Sequence, residues 1–160
     1  MNLQPRIVEL TRKKLVGKNL RMSLKDNRTA DLWRSFMPVR TKIGNRVSPD
    51  LISMRVYDRP MVTVDMSQEF DKWAAAEVTD FSDVPEGMES FELEGGLYAV
   101  FDYKGSNTDN NIFIYIFRDW LPYSEYDLDE RPQFEVLGDK YRNNDPNSEE
   151  EIWIPVKPKK

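Results

Sequence analysis

A single carboxylate stands in the middle of an apolar strand pattern near the end of the chain. In RPQFEVLGDKY, residues 131–141, Glu135 alternates with Phe134 and Val136. Successive side chains of a strand point to opposite faces, so Glu135 lies on the face opposite these two apolar residues. Ionised Glu is rarely buried without a partner, which makes a solvated charge the simple interpretation. The alternative is a carboxylate that faces a pocket.

The residue types that the sequence lacks restrict its chemistry. The 160 residues include no Cys and no His, which excludes disulfides, thiolate nucleophiles, Ser-His-Asp and Cys-His arrangements and the usual metal ligands. Carboxylates, Lys, Tyr and Ser remain as reactive groups. We therefore expect no metal and no cofactor, and a binding protein is favoured over an enzyme.

Charge and hydropathy restrict the partners and the location. The net charge is −5, and the 23 Lys and Arg residues form no long basic stripe, so direct binding to nucleic acid is not expected. The N-terminal residues have no apolar core of signal-peptide length, and no apolar run reaches membrane-spanning length. The sequence predicts a cytoplasmic protein without membrane contact.

Aromatic side chains are plentiful, with four Trp and seven Tyr. A carboxylate and aromatic faces together can replace the water of a bound cation, and each cation–π contact contributes about 0.5–2 kcal/mol. The aromatic candidates to line a cleft with Glu135 are Trp33, Tyr57, Tyr98, Trp120 and Trp153.

These candidates have structural alternatives. Trp120 lies on the apolar stripe of a predicted helix and fits the core better than a cleft, whereas Trp33 fits either. Trp153 alternates with two isoleucines and faces away from them, which favours the cleft. The acidic run 149–151 is interpreted as the solvated start of a strand and is given no chemistry.

The elements that must position these residues repeat along the chain. KKLVGKNLRMS at 13–23 and GLYAVFDYKGS at 96–106 share alternating apolar residues that run into a basic residue and Ser, which predicts equivalent strands. Apolar residues at helical spacing follow each stretch and predict two amphipathic helices, the first broken near Pro38. The helices are expected at 29–43 and 108–121, and further strands at 50–58, 69–81, 132–141 and 148–157. Three consecutive alanines weaken the strand prediction at 69–81.

This pattern predicts an α+β fold with a duplicated β-α-β-β repeat. A β-α-β-β unit covers one face of its sheet with a helix and leaves the other bare, so two copies related by a pseudo-two-fold axis can close a shared core. We expect one domain over 1–160, with repeats at about 3–81 and 88–157, antiparallel sheets and a ligand cleft between the halves. Phe134 and Val136 would then pack under a helix while Glu135 faces the cleft. No apolar stripe is left over, which predicts a monomer or weak dimer.

Several segments, in order, resemble the GyrI-like effector-binding domains. They are GGLYAVFDYKG, an aromatic helix ending in WLP, RPQFEVL and SEEEIWIPVK, with LWRSFMP and VSPDLISMRVYD extending the likeness to the first half. The family includes drug-binding halves of AraC-type and multidrug-sensing MerR-type regulators and the stand-alone gyrase inhibitory protein. The resemblance implies two β-α-β-β repeats around a cleft for cationic or aromatic small molecules, with a buried Glu at the position of Glu135.

The preferred function is a stand-alone protein that binds or sequesters amphipathic, cationic or aromatic small molecules. The DNA-binding helix-turn-helix of the regulators is not expected, because the first strand, over 3–23, starts almost at Met1. Two alternatives stay open. One is a hydrolase of a reactive small molecule that uses Glu135 with a Tyr to position water, and the other is a protein-interaction module of the gyrase-inhibitor type.

Overall fold

The computed structural model describes residues 3–58 and 65–160. These residues form two short α-helices, α1 (Thr29–Phe36) and α2 (Asn111–Ile114), and nine antiparallel strands. The strands are β1 (Arg6–Leu10), β2 (Lys13–Ser23), β3 (Leu51–Tyr57), β4 (Glu69–Val78), β5 (Glu89–Leu93), β6 (Gly96–Lys104), β7 (Tyr126–Leu128), β8 (Gln133–Leu137) and β9 (Glu149–Pro158).

Both helices continue as other kinds of helical turn. Helix α1 passes into a 3-10 segment at Met37–Lys42, where Pro38 supplies no backbone N–H for an α-helical bond. Helix α2 passes into a π-helical segment at Tyr115–Trp120 and a 3-10 turn at Leu121–Tyr123. The predicted helices are therefore present, but each is only in part α-helical.

The strand order relates the two halves of the chain. The order is β1-β6-β9-β8-β3-β4-β2-β5, and β7 pairs with β9. One half is β2-α1-β3-β4 and the other is β6-α2-β8-β9, joined at the centre of the sheet by antiparallel pairing of β3 with β8. The predicted α+β fold with a duplicated β-α-β-β repeat is confirmed.

Strands β1 and β5 cross to the opposite half. Strand β1 precedes β2 but pairs with β6, and β5 precedes β6 but pairs with β2. The connecting turns are short, so the sheet must curve until its ends meet. The turn between β1 and β2 contacts the turn between β5 and β6, because a Cβ added at Gly95 would lie 2.5 Å from the Leu10 carbonyl oxygen. The unbroken first strand expected from residue 3 is wrong, since the chain turns at Thr11 and Arg12.

The concave face of the curved sheet holds one apolar core. Leu10 and Leu93, from opposite ends of the sheet, meet Met54 and Phe134 from its centre. Phe134 is 3 % exposed, but it packs inside the curve of the sheet. The expectation that it lies under a helix is wrong, because both helices pack on the convex face.

The helices cover the two flanks of the convex face. Leu32 and Phe36 of α1 pack on the β2 and β4 side, and Ile112 of α2 with Ile116 of the π-helical segment pack on the β6 and β9 side. The strip over β3 and β8 lies between these flanks. This arrangement leaves a groove along the middle of the convex face.

Strand β4 forms despite its three consecutive alanines. It pairs with β2 along one edge and with β3 along the other, and pairing on both sides overrides a weak helical preference. The small side chains also let the strands approach closely. A Cβ added at Gly17 of β2 would lie 2.1 Å from the Ala74 carbonyl oxygen.

Candidate functional site

The groove between α1 and α2 carries polar side chains on an otherwise apolar sheet. We call it the central groove, and its polar floor residues are Ser53, Arg55, Gln133 and Glu135, with Phe113 on the α2 side. Strand alternation turns these floor residues away from the concave core. Ser53 lies directly across from Glu135, and Arg55 across from Gln133. The small Ser53 side chain leaves a depression beside the carboxylate.

A second carboxyl group lies beside Glu135. Glu150 of β9 is 9 % exposed and lies within hydrogen-bonding reach of Glu135. Burial first, and then the charge and hydrogen bond of Glu135, raise the pKa of Glu150 to about 8. At neutral pH Glu150 is therefore largely a carboxylic acid that can donate to the Glu135 carboxylate.

The interpretation of residues 149–151 as a solvated run is wrong for Glu150. Strand alternation puts Glu150 on the same face as Ile152 and Ile154, which are buried. Its Oε2 atom is also buried and has no hydrogen-bond partner within residues 3–58 and 65–160. The alternation itself was the signal that could have identified this residue.

Two cations accompany the carboxyl groups. Lys72 of β4 is 4 % exposed and lies directly across from Arg55. Burial first, and then the charge of Arg55, lower the pKa of Lys72 to about 8, against the opposing effect of Glu135 and Glu150. In the described part of the chain neither cation forms a direct ion pair.

The four groups have the character of a functional site. The carboxyl groups stand on β8 and β9 and the cations on β3 and β4, in a partly dry groove. Ionisable groups that are buried beside one another without direct pairing are costly to the fold. Such clusters occur most often where a ligand or a reaction needs them.

Aromatic rings stand at the Arg55 end of the groove. The Arg55 guanidinium carbon lies 5.6 Å from the Phe70 ring centroid and 5.5 Å from the Phe113 ring centroid. The Tyr57 ring lies 5.1 Å from that of Phe70. Of the aromatic candidates from the sequence, Tyr57 is thus on the face that carries Glu135.

Of the other candidates, Trp153 also lines the central groove with Glu135, although its ring packs on the concave side. Trp153 is directly across from Phe134, so it shares the concave face with Phe134 and stacks on it at 5.2 Å. Tyr98 is also on that face, 5.8 Å from Trp153. Trp153 faces away from its isoleucine neighbours as predicted, and residues 152–154 all line the groove.

The remaining two tryptophans belong to the packing of helix on sheet. Trp33 contacts Phe36 within α1 at 5.7 Å, and Trp120 contacts Phe101 of β6 at 5.2 Å. Both are half-buried. Of the six predicted residues, Glu135 and Trp153 line the groove and Tyr57 lies on the sheet face of Glu135, and the sequence pattern missed Glu150, Lys72 and Arg55.

Two absences hold for the residues that the structure describes. No group of three or more Asp or Glu side chains among them is placed to hold a metal ion. None of the helices in the same residues is long and apolar enough to cross a bilayer.

Comparisons with known proteins give one family and one fold. The family model of Cass2, the integron-associated effector binding protein, matches residues 6–156. The transcriptional regulator BrlR of Pseudomonas aeruginosa is 28 % identical over 157 residues, or 97 % of this chain. The chain spans 56 % of the length of that regulator.

Solved structures share the fold. The EcmrR C-terminal domain matches with a TM-score of 0.73 and 16 % identity, covering 99 % of this chain and 100 % of that one. SAV2435 bound to tetraphenylphosphonium matches with a TM-score of 0.71 and 14 % identity, covering 97 % of this chain and 94 % of that one. The family model spans nearly the whole chain and the GyrI-like resemblance agrees with it, so this chain belongs to the Cass2 family of GyrI-like effector-binding proteins.

Proposed function

We propose that this chain binds a small amphipathic molecule in the central groove, with a cationic or aromatic part of the ligand near Glu135. The observation that carries the proposal is the cluster of Glu135, Glu150, Lys72 and Arg55, which lacks direct ion pairs among the described residues. Glu135 and Arg55 of this cluster line the groove, and Lys72 and Glu150 are buried beside them. A ligand can therefore supply the missing partners.

A cationic ligand fits the carboxyl side of the cluster. Glu135 offers a carboxylate beside the depression at Ser53, and Phe113, Phe70 and Tyr57 offer ring faces. These are the groups that bind lipophilic cations in place of water. The tetraphenylphosphonium bound to the similar SAV2435 is an aromatic cation, which supports this ligand class for the present chain.

The substitution Glu135→Gln tests the role of the carboxylate. We expect it to weaken tetraphenylphosphonium binding by about 2–5 kcal/mol, because a buried cation would lose its counter-charge. The free energy of unfolding should stay the same or rise slightly, since one desolvated charge is removed. Titration calorimetry and urea denaturation of both proteins measure the two effects.

A matched control is available on β9. Glu149→Gln makes the same change of charge at an exposed position, and should alter binding by no more than a few tenths of a kcal/mol. A thermal-shift screen of cationic dyes and aromatic metabolites supplies a replacement probe if the wild type does not take tetraphenylphosphonium. Affinities of wild type and Glu135→Gln that agree within about twofold would contradict the proposal.

A further inference from the structure

Arg55 is a cation held in the central groove by aromatic rings rather than by a carboxylate. Its guanidinium carbon lies 5.6 Å from the Phe70 centroid and 5.5 Å from the Phe113 centroid. Phe70 belongs to β4 in the first half of the chain, and Phe113 belongs to α2 in the second. The guanidinium thus bridges the two halves across the groove.

The strand neighbours of Arg55 do not hold it in this place. Lys72 is directly across from it on one side, and like charges opposite each other on neighbouring strands repel. Uncharged Gln133 is across from it on the other side. Within residues 3–58 and 65–160 Arg55 has no direct ion pair. Cation–π attraction to the two rings is the favourable contact that remains.

Arg55 also occupies space that a ligand would need. The groove around Ser53, Arg55, Phe113 and Glu135 leaves a cavity volume of only about 10 Å³. Small-molecule pockets usually enclose roughly 300–1,000 Å³. A side chain that stands between the aromatic rings and the carboxylate keeps the empty groove below this size.

We propose that Arg55 is a specificity-determining residue that holds the place of the ligand's cationic group in the empty groove. A cationic ligand binds by displacing the guanidinium from between Phe70 and Phe113. Arg55 is then an internal competitor, and the cations that bind well are those with enough aromatic surface to replace its contacts. The groove accepts such a ligand only when Arg55 has moved. Because only a small fraction of the protein molecules is in that open state, the apparent dissociation constant is raised. This inference rests on the proposed function of the central groove.

The experiment compares tetraphenylphosphonium binding to four proteins by titration calorimetry. They are the wild type, Arg55→Gln, Arg55→Lys and Arg34→Gln. Arg55→Gln removes the competing guanidinium and its repulsion of a cationic ligand, and should tighten binding by about tenfold or more. Arg55→Lys keeps a displaceable cation and should stay within about threefold of wild type.

Arg34→Gln is the matched control for net charge. Arg34 is exposed on α1 and pairs with Asp31 at 3.1 Å, away from the groove floor. Its removal should leave the affinity within about twofold of wild type. If Arg55→Gln does not fold, Arg55→Met keeps the apolar stem of the side chain and takes its place.

The outcomes separate this inference from the proposed function. Binding to Arg55→Gln that is no tighter than to Arg34→Gln overturns the inference, and so does an absence of binding to both. A purely structural Arg55 would give lower stability in urea with no gain in affinity. If Arg55→Gln tightens binding but adding Glu135→Gln has no effect, the internal competitor stands and the proposed role of Glu135 fails.

Discussion

Glu150 and Lys72 are buried near each other with pKa values shifted in opposite directions. The pKa of Glu150 is raised from 4.5 to about 8, so between these values the native state holds a proton that the unfolded state releases. Stability must therefore fall as the pH rises through this range. The pKa of Lys72 is lowered from 10.5 to about 8, so between these values the native state holds fewer protons and stability must rise with pH.

We expect these two groups together to give a minimum in the free energy of unfolding near pH 8. Urea denaturation at intervals from about pH 5 to 10 measures the profile. Glu150→Gln should remove the fall in the free energy of unfolding below pH 8. Lys72→Met should remove its rise above pH 8. Glu149→Gln should leave the profile as in wild type. A Glu150→Gln profile that runs parallel to that of wild type would rule out this assignment.

Strand alternation around single residues was informative but incomplete. It put Glu135 on the face opposite Phe134, which the structure bears out. Applied in the same way to β9 and β4, it would have put Glu150 with Ile152 and Lys72 with Ala74. The pattern within one strand cannot show which face bears the groove, because that depends on pairing between distant strands. The side of the sheet on which Trp153 lies is therefore not predictable from β9 alone.

At the scale of single elements, the contact of β2 with β4 depends on a missing side chain. A Cβ at Gly17 would lie 2.1 Å from the Ala74 carbonyl oxygen and 2.6 Å from the Ala75 Cα. Both are backbone atoms that cannot rotate away. Gly17→Ala should lower the free energy of unfolding by about 1–3 kcal/mol or more, because the two strands must separate.

Gly44→Ala is the control for this substitution. A Cβ there would meet only the Asp83 carboxylate oxygen, at 3.8 Å. The free energy of unfolding should stay the same or rise by up to about 1 kcal/mol, because alanine lowers the conformational entropy of the unfolded chain. Urea denaturation of both variants gives the comparison, and equal free energies would contradict the close approach of β2 to β4.

Periodicity predicted most elements, and its failures have physical causes. The turn at Thr11 and Arg12 contains no Gly or Pro, so nothing in the local sequence separates β1 from β2. Strand β7 spans only Tyr126–Leu128, too short for alternation to be visible. The π-helical segment after α2 keeps the apolar residues in contact with the sheet, and its hydrogen-bond pattern is not encoded in their spacing.

At the scale of the whole molecule, the two halves are tied together in the middle and at both ends. The pairing of β3 with β8 joins them at the centre, and β1 and β5 join them at the ends. We therefore expect the halves to unfold in one cooperative step. With 5-fluorotryptophan in place of tryptophan, Trp33 reports on the first half and Trp120 on the second.

Fluorine NMR in urea measures both reporters in one sample. Their native signals should lose intensity with a common midpoint. Under the proposed function, tetraphenylphosphonium should move both midpoints upwards together, since a ligand of the folded state stabilises both halves. Midpoints that differ beyond error would mean that one half unfolds without the other.

The crossing of β1 and β5 has a consequence for how binding depends on protein concentration. A half made as a separate polypeptide would have one strand with no partner and two sheet edges uncovered. Two such polypeptides could complete each other by exchanging strands, but the groove between them would be lost on dilution. In this chain the association is intramolecular, so the effective concentration of one half for the other is set by the connecting segment. The groove thus forms at any abundance of the protein.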